Sequence, residues 1–327
     1  MSLLEVRELE VVYRRQGEDI RAVAGASLAV ERGRITGLVG ESGCGKSSLA
    51  RAAVGLIEPA AGEIVFDGQR LNPLRRGARA RHETRLQMVF QNPYSSLNPR
   101  RTVGSQVADG LRLQKEGDKA EHRRRVGELL DQVGMSAGAA ARYPHQFSGG
   151  QRQRIAIARA LAADPAAIVL DEPLSSLDAS AQAQVANLLV GLAKDLDLAL
   201  LLISHDLAIV RHIADSVSVM YLGEIVEQGP TRAVWAAPQH PYTEALVAAI
   251  PRADGSGTLP EALPGEVPDP ARPPSGCRFH PRCPYVFDRC PTEVPPLYEV
   301  GRGHTAACFL RDPAGAPTQT HEHEGVT

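Results

Sequence analysis

Over the first 70 residues apolar and polar positions alternate. Leu3 to Val12 follows a period of two, as does Gly62 to Asp67, which predicts strands with one buried face. Ile35 to Val39 is a short apolar strand entering a glycine-rich turn, and from Ser47 the segment SSLARAAVGL takes helical spacing. From about Leu97 to Tyr143 the pattern becomes helical and charged, with VGELLDQVG its clearest amphipathic piece. Gln151 to Ala163 predicts another helix, followed by Asp164-Pro165. Ala166 to Leu170 is then a continuous apolar run of strand length, Gln182 to Lys194 is helical, and Leu198 to Ile203 and Val217 to Tyr221 are strands. This alternation predicts an α/β fold with a parallel or mixed sheet covered on both faces. After about Pro238 the periodicity fades and prolines become dense from Pro260 to Pro296, which predicts an accessory region with little secondary structure of its own. Asp312 to Thr327 is polar and predicted to be a disordered tail. No internal repeat is visible.

A chain of 327 residues, 43% hydrophobic and 23% charged, can bury a sizeable core. Its net charge of −2 offers no overall basic field for nucleic acid. The local clusters Arg75, Arg76, Arg79, Arg81, Arg85 and Arg123, Arg124, Arg125 read as solvated surface. No span of about 18 apolar residues occurs. The N-terminal MSLLEVRELEVVYRRQ contains acidic residues and lacks a signal-peptide core, so a cytoplasmic location is expected.

Candidate chemistry begins at Gly40-Glu41-Ser42-Gly43-Cys44-Gly45-Lys46-Ser47, which fits G-x-x-x-x-G-K-[ST] between a predicted strand and helix. Glycines let backbone N–H groups turn inward around phosphate oxygens, and the helix N-terminus adds partial positive charge. Lys46 is expected at the β- and γ-phosphates and Ser47 at Mg²⁺, with Ser48 just beyond. Cys44 occupies a variable position, as a small residue that fits or as a redox thiol. Ile168-Val169-Leu170-Asp171-Glu172 is an apolar strand ending in two carboxylates. Asp171 is expected to reach Mg²⁺, and Glu172 to orient and polarise an attacking water.

Phe147-Ser148-Gly149-Gly150-Gln151 opens the helix RQRIAIARAL and makes a second anion-binding N-terminus. One ATP already has its cradle at the first loop, so a second cradle makes sense for an ATP held mainly by another ATPase domain. The segment closely resembles the signature sequence of ABC ATPases, with Phe147 where leucine is commonest. The resemblance implies a P-loop ABC ATPase core with a β-rich flank and a helical subdomain near 92–155. It also implies two nucleotide-binding domains paired head to tail. By the same resemblance Gln91 is the Q-loop glutamine, touching Mg²⁺ or water, and Ser176 and Asp178 belong to the D-loop. His205 is similar to the switch histidine at the γ-phosphate. Tyr13 sits where an aromatic ring stacks on adenine, although a lone strand aromatic is also filler.

Three further segments resemble the ATPases of oligopeptide, dipeptide and nickel importers: Gln91 to Pro99, Tyr143 to Phe147, and Gln239-His240-Pro241-Tyr242-Thr243. Within that group the chain looks more similar to the F-type of the paired subunits than to the D-type. The implied partners are a second ATPase subunit, expected to be a D-type paralogue, two transmembrane permease subunits and an extracytoplasmic peptide-binding protein. The implied place is the cytoplasmic face of the inner membrane. A soluble ABC ATPase acting on ribosomes or DNA is the rival, but those usually hold two ATPase domains or a long coiled coil.

Four of the five cysteines, Cys277, Cys283, Cys290 and Cys308, crowd into the C-terminal region with spacing C-x5-C-x6-C-x17-C. In a reducing compartment such a cluster reads as metal binding before disulfides. Four thiolates suit a [4Fe–4S] cluster or Zn²⁺, and free thiols remain the third reading. The wide spacing favours a cubane, and the family resemblance implies an iron–sulfur cluster in at least some members. The expected organisation is a nucleotide-binding domain over 1–237 and a small cysteine-containing accessory domain over 238–327. The cluster is expected to be structural or redox-sensing, with no part in hydrolysis.

Overall fold

The computed structural model describes residues 2–15, 17–73, 79–92, 96–114, 118–250 and 265–314. Arg75, Arg76, Pro93, Tyr94, Ser95, Pro260 and the 315–327 part of the polar tail lie outside them.

The alternating N-terminal segments become β1 (Ser2–Arg15), β2 (Glu18–Glu31), β4 (Ala61–Phe66) and β5 (Gln69–Arg70), joined as one antiparallel sheet in the order β2-β1-β4-β5. The buried members Leu4, Val6, Leu9 and Val11 line its inner face. The strand β3 (Ile35–Val39) leads to α1 (Lys46–Ala53). Next come β6 (Leu86–Val89), α2 (Val103–Leu113), α3 (Lys119–Gln132) and α4 (Gly149–Leu161). The chain continues through β7 (Ala167–Asp171), α5 (Ala179–Asp195), β8 (Ala199–Ser204), α6 (Leu207–Ile213), β9 (Ser216–Tyr221) and β10 (Glu224–Pro230). It closes with α7 (Thr231–Ala236), α8 (Pro241–Ala248), β11 (Tyr298–Gly301) and β12 (His304–Ala306).

The second sheet runs β11-β12-β10-β9-β3-β8-β7-β6. Its five strands from β6 to β9 are mutually parallel. Continuous apolar runs suit this position, because side chains on both faces are buried. Ile168 and Leu170 enter one core with the helices, while Val169 between them enters the other with α1 and the antiparallel sheet. Leu200 and Leu202 divide from Leu201 and Ile203 in the same way. The predicted mixed, doubly covered sheet is therefore present.

The charged middle stretch folds as a helical unit. Thr102 caps α2, and Asp118 caps α3 by accepting from Ala120 and Glu121 N–H at 2.8 and 2.9 Å. Val107, Leu129, Leu130 and Ile155 close its core. Arg124 and Arg125 pair with Glu121 and Glu128 along α3, as a solvated face does.

Among its described residues the region after Pro238 holds a helix of eight residues, two strands of four and three, and short 3-10 turns. It contributes α8, and β12 adds to the core sheet with Glu227 opposite Ala306 and Gln228 opposite Thr305. Glu227, fully buried, accepts from Gln239 N–H, His240 N–H and His304 Nε2, all within 2.8 Å. A buried carboxylate satisfied from three directions ties the last third of the chain to β10.

Candidate functional site

The site grows from the ends of β3, β7 and β8, where a parallel sheet presents loops together at one edge. Between β3 and α1 the chain turns through Gly40 to Gly45. Gly45 has φ 108°, and a Cβ there would meet the Ala22 carbonyl oxygen at 2.1 Å. Only glycine fits that close approach. Lys46 is 4% exposed, and its ammonium donates to the carbonyls of Gly40 and Glu41, each at 2.8 Å. Ser47 Oγ donates to Asp171 Oδ1 at 2.8 Å across 124 residues of sequence. Burial pushes the Asp171 carboxyl above its ordinary range, with the Ser47 hydrogen bond acting against that shift.

Glu172 follows Asp171 with φ 46°, a left-handed conformation costly for a side-chain-bearing residue. Its N–H donates to Ile203 O at 3.0 Å, which fixes the turn against β8. Its carboxylate accepts from Gln91 Nε2 at 2.7 Å and lies 3.3 Å from His205 Nδ1. Thus Gln91 after β6, Glu172 after β7 and His205 after β8 meet at one point. They line a cleft of about 420 Å³ together with Ser42, Gly43, Gly45, Lys46, Ser47 and Ser48. That volume lies in the ~300–1,000 Å³ range of small-molecule sites. The cleft is polar and partly open, with the start of α1 at its floor. It suits a polyanionic ligand with one end near Glu172.

Tyr13 is exposed on β1, and its hydroxyl donates to Ser48 Oγ at 3.2 Å, beside the same loop. Cys44 is buried and burial pushes its thiol up, which fits a small filling residue better than a redox thiol. Ser148, Gly149, Gly150 and Gln151 are not among the residues lining the cleft. Ser148 and Gln151 instead form a reciprocal capping box at the start of α4. Gly150 packs on α5, where a Cβ would lie 3.0 Å from that of Ala181. Ser176 is exposed, and the Asp178 side chain caps α5 by accepting from Ala181 N–H at 2.9 Å.

Two residues at this site escape a reading of motifs. Ala22 supplies a wall of the cleft, and Tyr242 Oη accepts the Glu41 N–H at 2.8 Å from behind the loop. Ala22 has no chemical mark. Tyr242 belongs to the Gln239 to Thr243 segment, where a tyrosine could be noticed but not placed.

The four C-terminal cysteines come together. Cys277, Cys283, Cys290 and Cys308 line one small, almost wholly apolar cavity walled by Phe279, Phe287 and Phe309. All four are free thiols. Burial pushes Cys277 up to about 12 and Cys283 up to about 11. Among the described residues, no group of three or more His, Cys, Asp or Glu is placed to hold a metal ion. The expected metal site is thus a gathering of four sulfurs without a preformed set of ligands around one point.

Residues 23–175 match the family described as ABC transporter, and residues 226–290 match the oligopeptide/dipeptide transporter C-terminal region. The chain is 49% identical over 298 residues to a probable peptide ABC transporter ATP-binding protein of Sinorhizobium fredii, covering 91% of this chain and 84% of the relative. It is 47% identical to the di/tripeptide transport ATP-binding protein DppF of Pseudomonas aeruginosa, covering 85% and 86%. Among solved structures it resembles the dimeric, post-hydrolysis ATP-binding cassette MJ0796 bound to ADP and Pi. The TM-score is 0.62 at 28% identity, over 70% of this chain and 99% of that one. With a phosphate-binding loop, paired strand-end carboxylates and a glycine-opened helix already in place, these likenesses assign the chain to the ATP-hydrolysing subunits of ABC transporters, in the group with an oligopeptide/dipeptide transporter C-terminal region.

Proposed function

We propose that this chain powers peptide import as one of two paired ATPase subunits attached to permease subunits at the cytoplasmic face of the membrane. The observation that carries this reading is the meeting of Gln91, Glu172 and His205 at the mouth of the phosphate-binding cleft. Peptides are favoured as cargo by the names of the relatives at 49% and 47% identity. The cargo class also agrees with the C-terminal family match. No helix among the described residues is long and apolar enough to cross a membrane, and the family match favours separate permease subunits that supply the path. An extracytoplasmic peptide-binding protein would deliver the cargo. The rival ribosome or DNA role has no such support.

In this reading Gly40, Ser42, Gly43, Cys44 and Gly45 offer backbone N–H groups to the phosphates of ATP, and Lys46 supplies charge. Ser48 and Tyr13 flank the nucleotide. Glu172 holds the attacking water and takes its proton, while Gln91 and His205 fix the carboxylate. The donors for Mg²⁺ would be Ser47, Asp171 and Gln91. The Ser47–Asp171 contact brings two oxygens together, and the buried Asp171 carboxyl would be relieved by a cation. When bound, Mg²⁺ would neutralise developing phosphate charge.

We assign Ser148, Gly149, Gly150 and Gln151 to the site of a partner, with Ser176 and Asp178 between the two; their place outside their own cleft supports this. The resemblance to the dimeric cassette supports pairing. A D-type paralogue is the partner we favour. We keep the domain division at 237/238 as a boundary in sequence, although Tyr242 bonds the phosphate-binding loop and β12 joins the core sheet across it.

Cys277, Cys283, Cys290 and Cys308 are proposed to ligate a [4Fe–4S] cluster. Their convergence on one apolar cavity supports this. A single tetrahedral ion needs sulfurs roughly 3.8 Å apart, from metal–sulfur bonds of about 2.3 Å, whereas a cubane takes them farther apart. Among the described residues no preformed group for a metal ion is present, so ligation of either group would require the four sulfurs to rearrange. When bound, the cluster would supply folding energy to a region with little core.

The test is Glu172→Gln in the assembled transporter. ATP binding should persist, hydrolysis should fall by about 10²–10⁴-fold, and ATP-driven uptake of labelled peptide should stop. Near-normal turnover, or uptake unaffected by the variant, would remove the assignment.

A further inference from the structure

The segment Cys277-Arg278-Phe279-His280-Pro281-Arg282-Cys283 has a cavity cysteine at each end and an arginine beside each cysteine. The cysteines turn to the apolar cavity, while Arg282 turns to the ATP-binding loop and Arg278 to the β9–β10 turn. Arg282, its side chain 3% exposed, reaches Glu41 with Nη1 at 2.8 Å from Oε2 and Nη2 at 3.2 Å from Oε1. This is a two-pronged guanidinium–carboxylate contact spanning 241 positions of sequence. Nη1 also lies 3.4 Å from Tyr221 Oη.

Glu41 is the second residue of the phosphate-binding loop and is held at three points. Its N–H donates to Tyr242 Oη, its carbonyl accepts from Lys46 Nζ, and its carboxylate takes Arg282. Arg278 makes the second brace. It pairs with Glu224 at 2.9 Å and donates to Leu222 O, in the β9–β10 turn whose Gly223 N–H donates to Cys44 O at 2.8 Å. Between the arginines, Phe279 packs on Tyr221 and Tyr242 with ring centroids 5.3 and 5.4 Å away. A close-packed aromatic block of this kind transmits displacement instead of absorbing it.

We infer that Arg282 is a positioning residue for ATP binding: through Glu41 it sets the shape of the phosphate-binding loop, and the packing of the cysteine-lined segment thereby sets nucleotide affinity. A buried charge pair is poor at adding stability compared with apolar packing of equal volume, yet it fixes geometry closely. Lys46 shares the Glu41 carbonyl, so a shift of Glu41 moves the ammonium meant for the phosphates. The inference rests on the cleft being the ATP site.

Titration of the full chain with a fluorescent ATP analogue tests both statements separately. Arg282→Ala and Glu41→Gln should each weaken binding by about 5- to 100-fold, the usual span of coupling between sites. The double variant should be no weaker than either single one, because both remove the same contact. Arg282→Lys should restore part of the affinity. In the assembled transporter the KM for ATP should rise while kcat at saturating ATP holds. Cys283→Ser should move affinity in the same direction as Arg282→Ala. Wild-type affinity in Glu41→Gln, which removes the charge but keeps an amide oxygen to accept from Arg282, would overturn the inference. So would strictly additive losses in the double variant. Lys46→Ala is the control for the underlying reading. If it abolishes binding while Glu41→Gln does not weaken it, the ATP site stands and the lever falls. If Lys46→Ala binds normally, the ATP site itself is wrong.

Discussion

The ATP cleft and the cysteine cavity are both assembled from distant parts of the chain, with opposite materials. The cleft gathers polar groups at the ends of four parallel strands, β3, β6, β7 and β8. Each group is fixed by a backbone that the sheet already holds, as Glu172 is by its N–H bond to Ile203. The cavity gathers sulfurs from proline-rich turns, where short hydrogen bonds such as Cys277 N–H to Cys290 O are the local order. In the first region the fold precedes the ligand. In the second, a bound group would contribute to the fold. The comparison predicts that damage to the cleft removes chemistry and leaves structure, whereas damage to the cavity removes structure and leaves chemistry.

The largest effect tests the cleft side of that contrast. Ser148 is exposed and lies outside its own cleft. Ser148→Arg should leave nucleotide binding to the isolated chain unchanged and lower hydrolysis by the assembled pair about 10²-fold or more, the scale of losing one donor to a developing anion. Stability should drop by only about 1 kcal/mol, from the lost helix cap. Equal loss of binding in the isolated chain would show that the signature serves its own ATP.

The cavity side is tested by Cys283→Ser. Protein purified anaerobically should be brown with about four iron and four sulfide per chain, and the variant should lose the colour. Limited proteolysis should then cut within the C-terminal region while residues of the sheet stay protected. At saturating ATP the rate per turnover should hold, because no cysteine of the cavity lines the cleft. Stoichiometric zinc, or metal-free protein with an intact C-terminal region, would contradict the cluster.

How far each region could be read from sequence follows from the same difference. A phosphate cradle needs successive backbone N–H groups, so Gly40 to Ser47 stand together and announce themselves. The buried strands β3, β7 and β8 are equally plain, because double burial demands unbroken apolar runs. The strand β12 is three residues long, and its place beside β10 depends on Glu227 and His304, 77 positions apart. No local pattern encodes that pairing. The region after Pro238 has little secondary structure of its own among the described residues, and β12 is stabilised by an edge supplied from elsewhere. Cysteine spacing suggested a cluster but not the use of the residues between the cysteines. Arg278 and Arg282 look like surface charge in sequence, and only the fold sets them against Glu224 and Glu41.

The smallest effect separates two roles of one residue. Asp178 was assigned to the D-loop by resemblance, and in the structure its carboxylate caps α5 at Ala181 N–H. Capping needs only a short acceptor, which asparagine supplies as well as aspartate. Asp178→Asn should therefore leave thermal stability unchanged, whereas Asp178→Ala should cost about 1 kcal/mol, because one orphan N–H of the first turn loses its partner. If the cap is its whole contribution, hydrolysis by the assembled pair should follow stability: normal in Asn and slightly lowered in Ala. If the carboxylate also acts between paired sites, Asn should lower hydrolysis without moving the melting temperature. We expect the second pattern, since Asp178 is exposed beside Ser176 and its charge is free to face a partner. Parallel melting curves and steady-state ATPase rates for the two variants decide it, and unchanged rates in Asn would confine Asp178 to its helix.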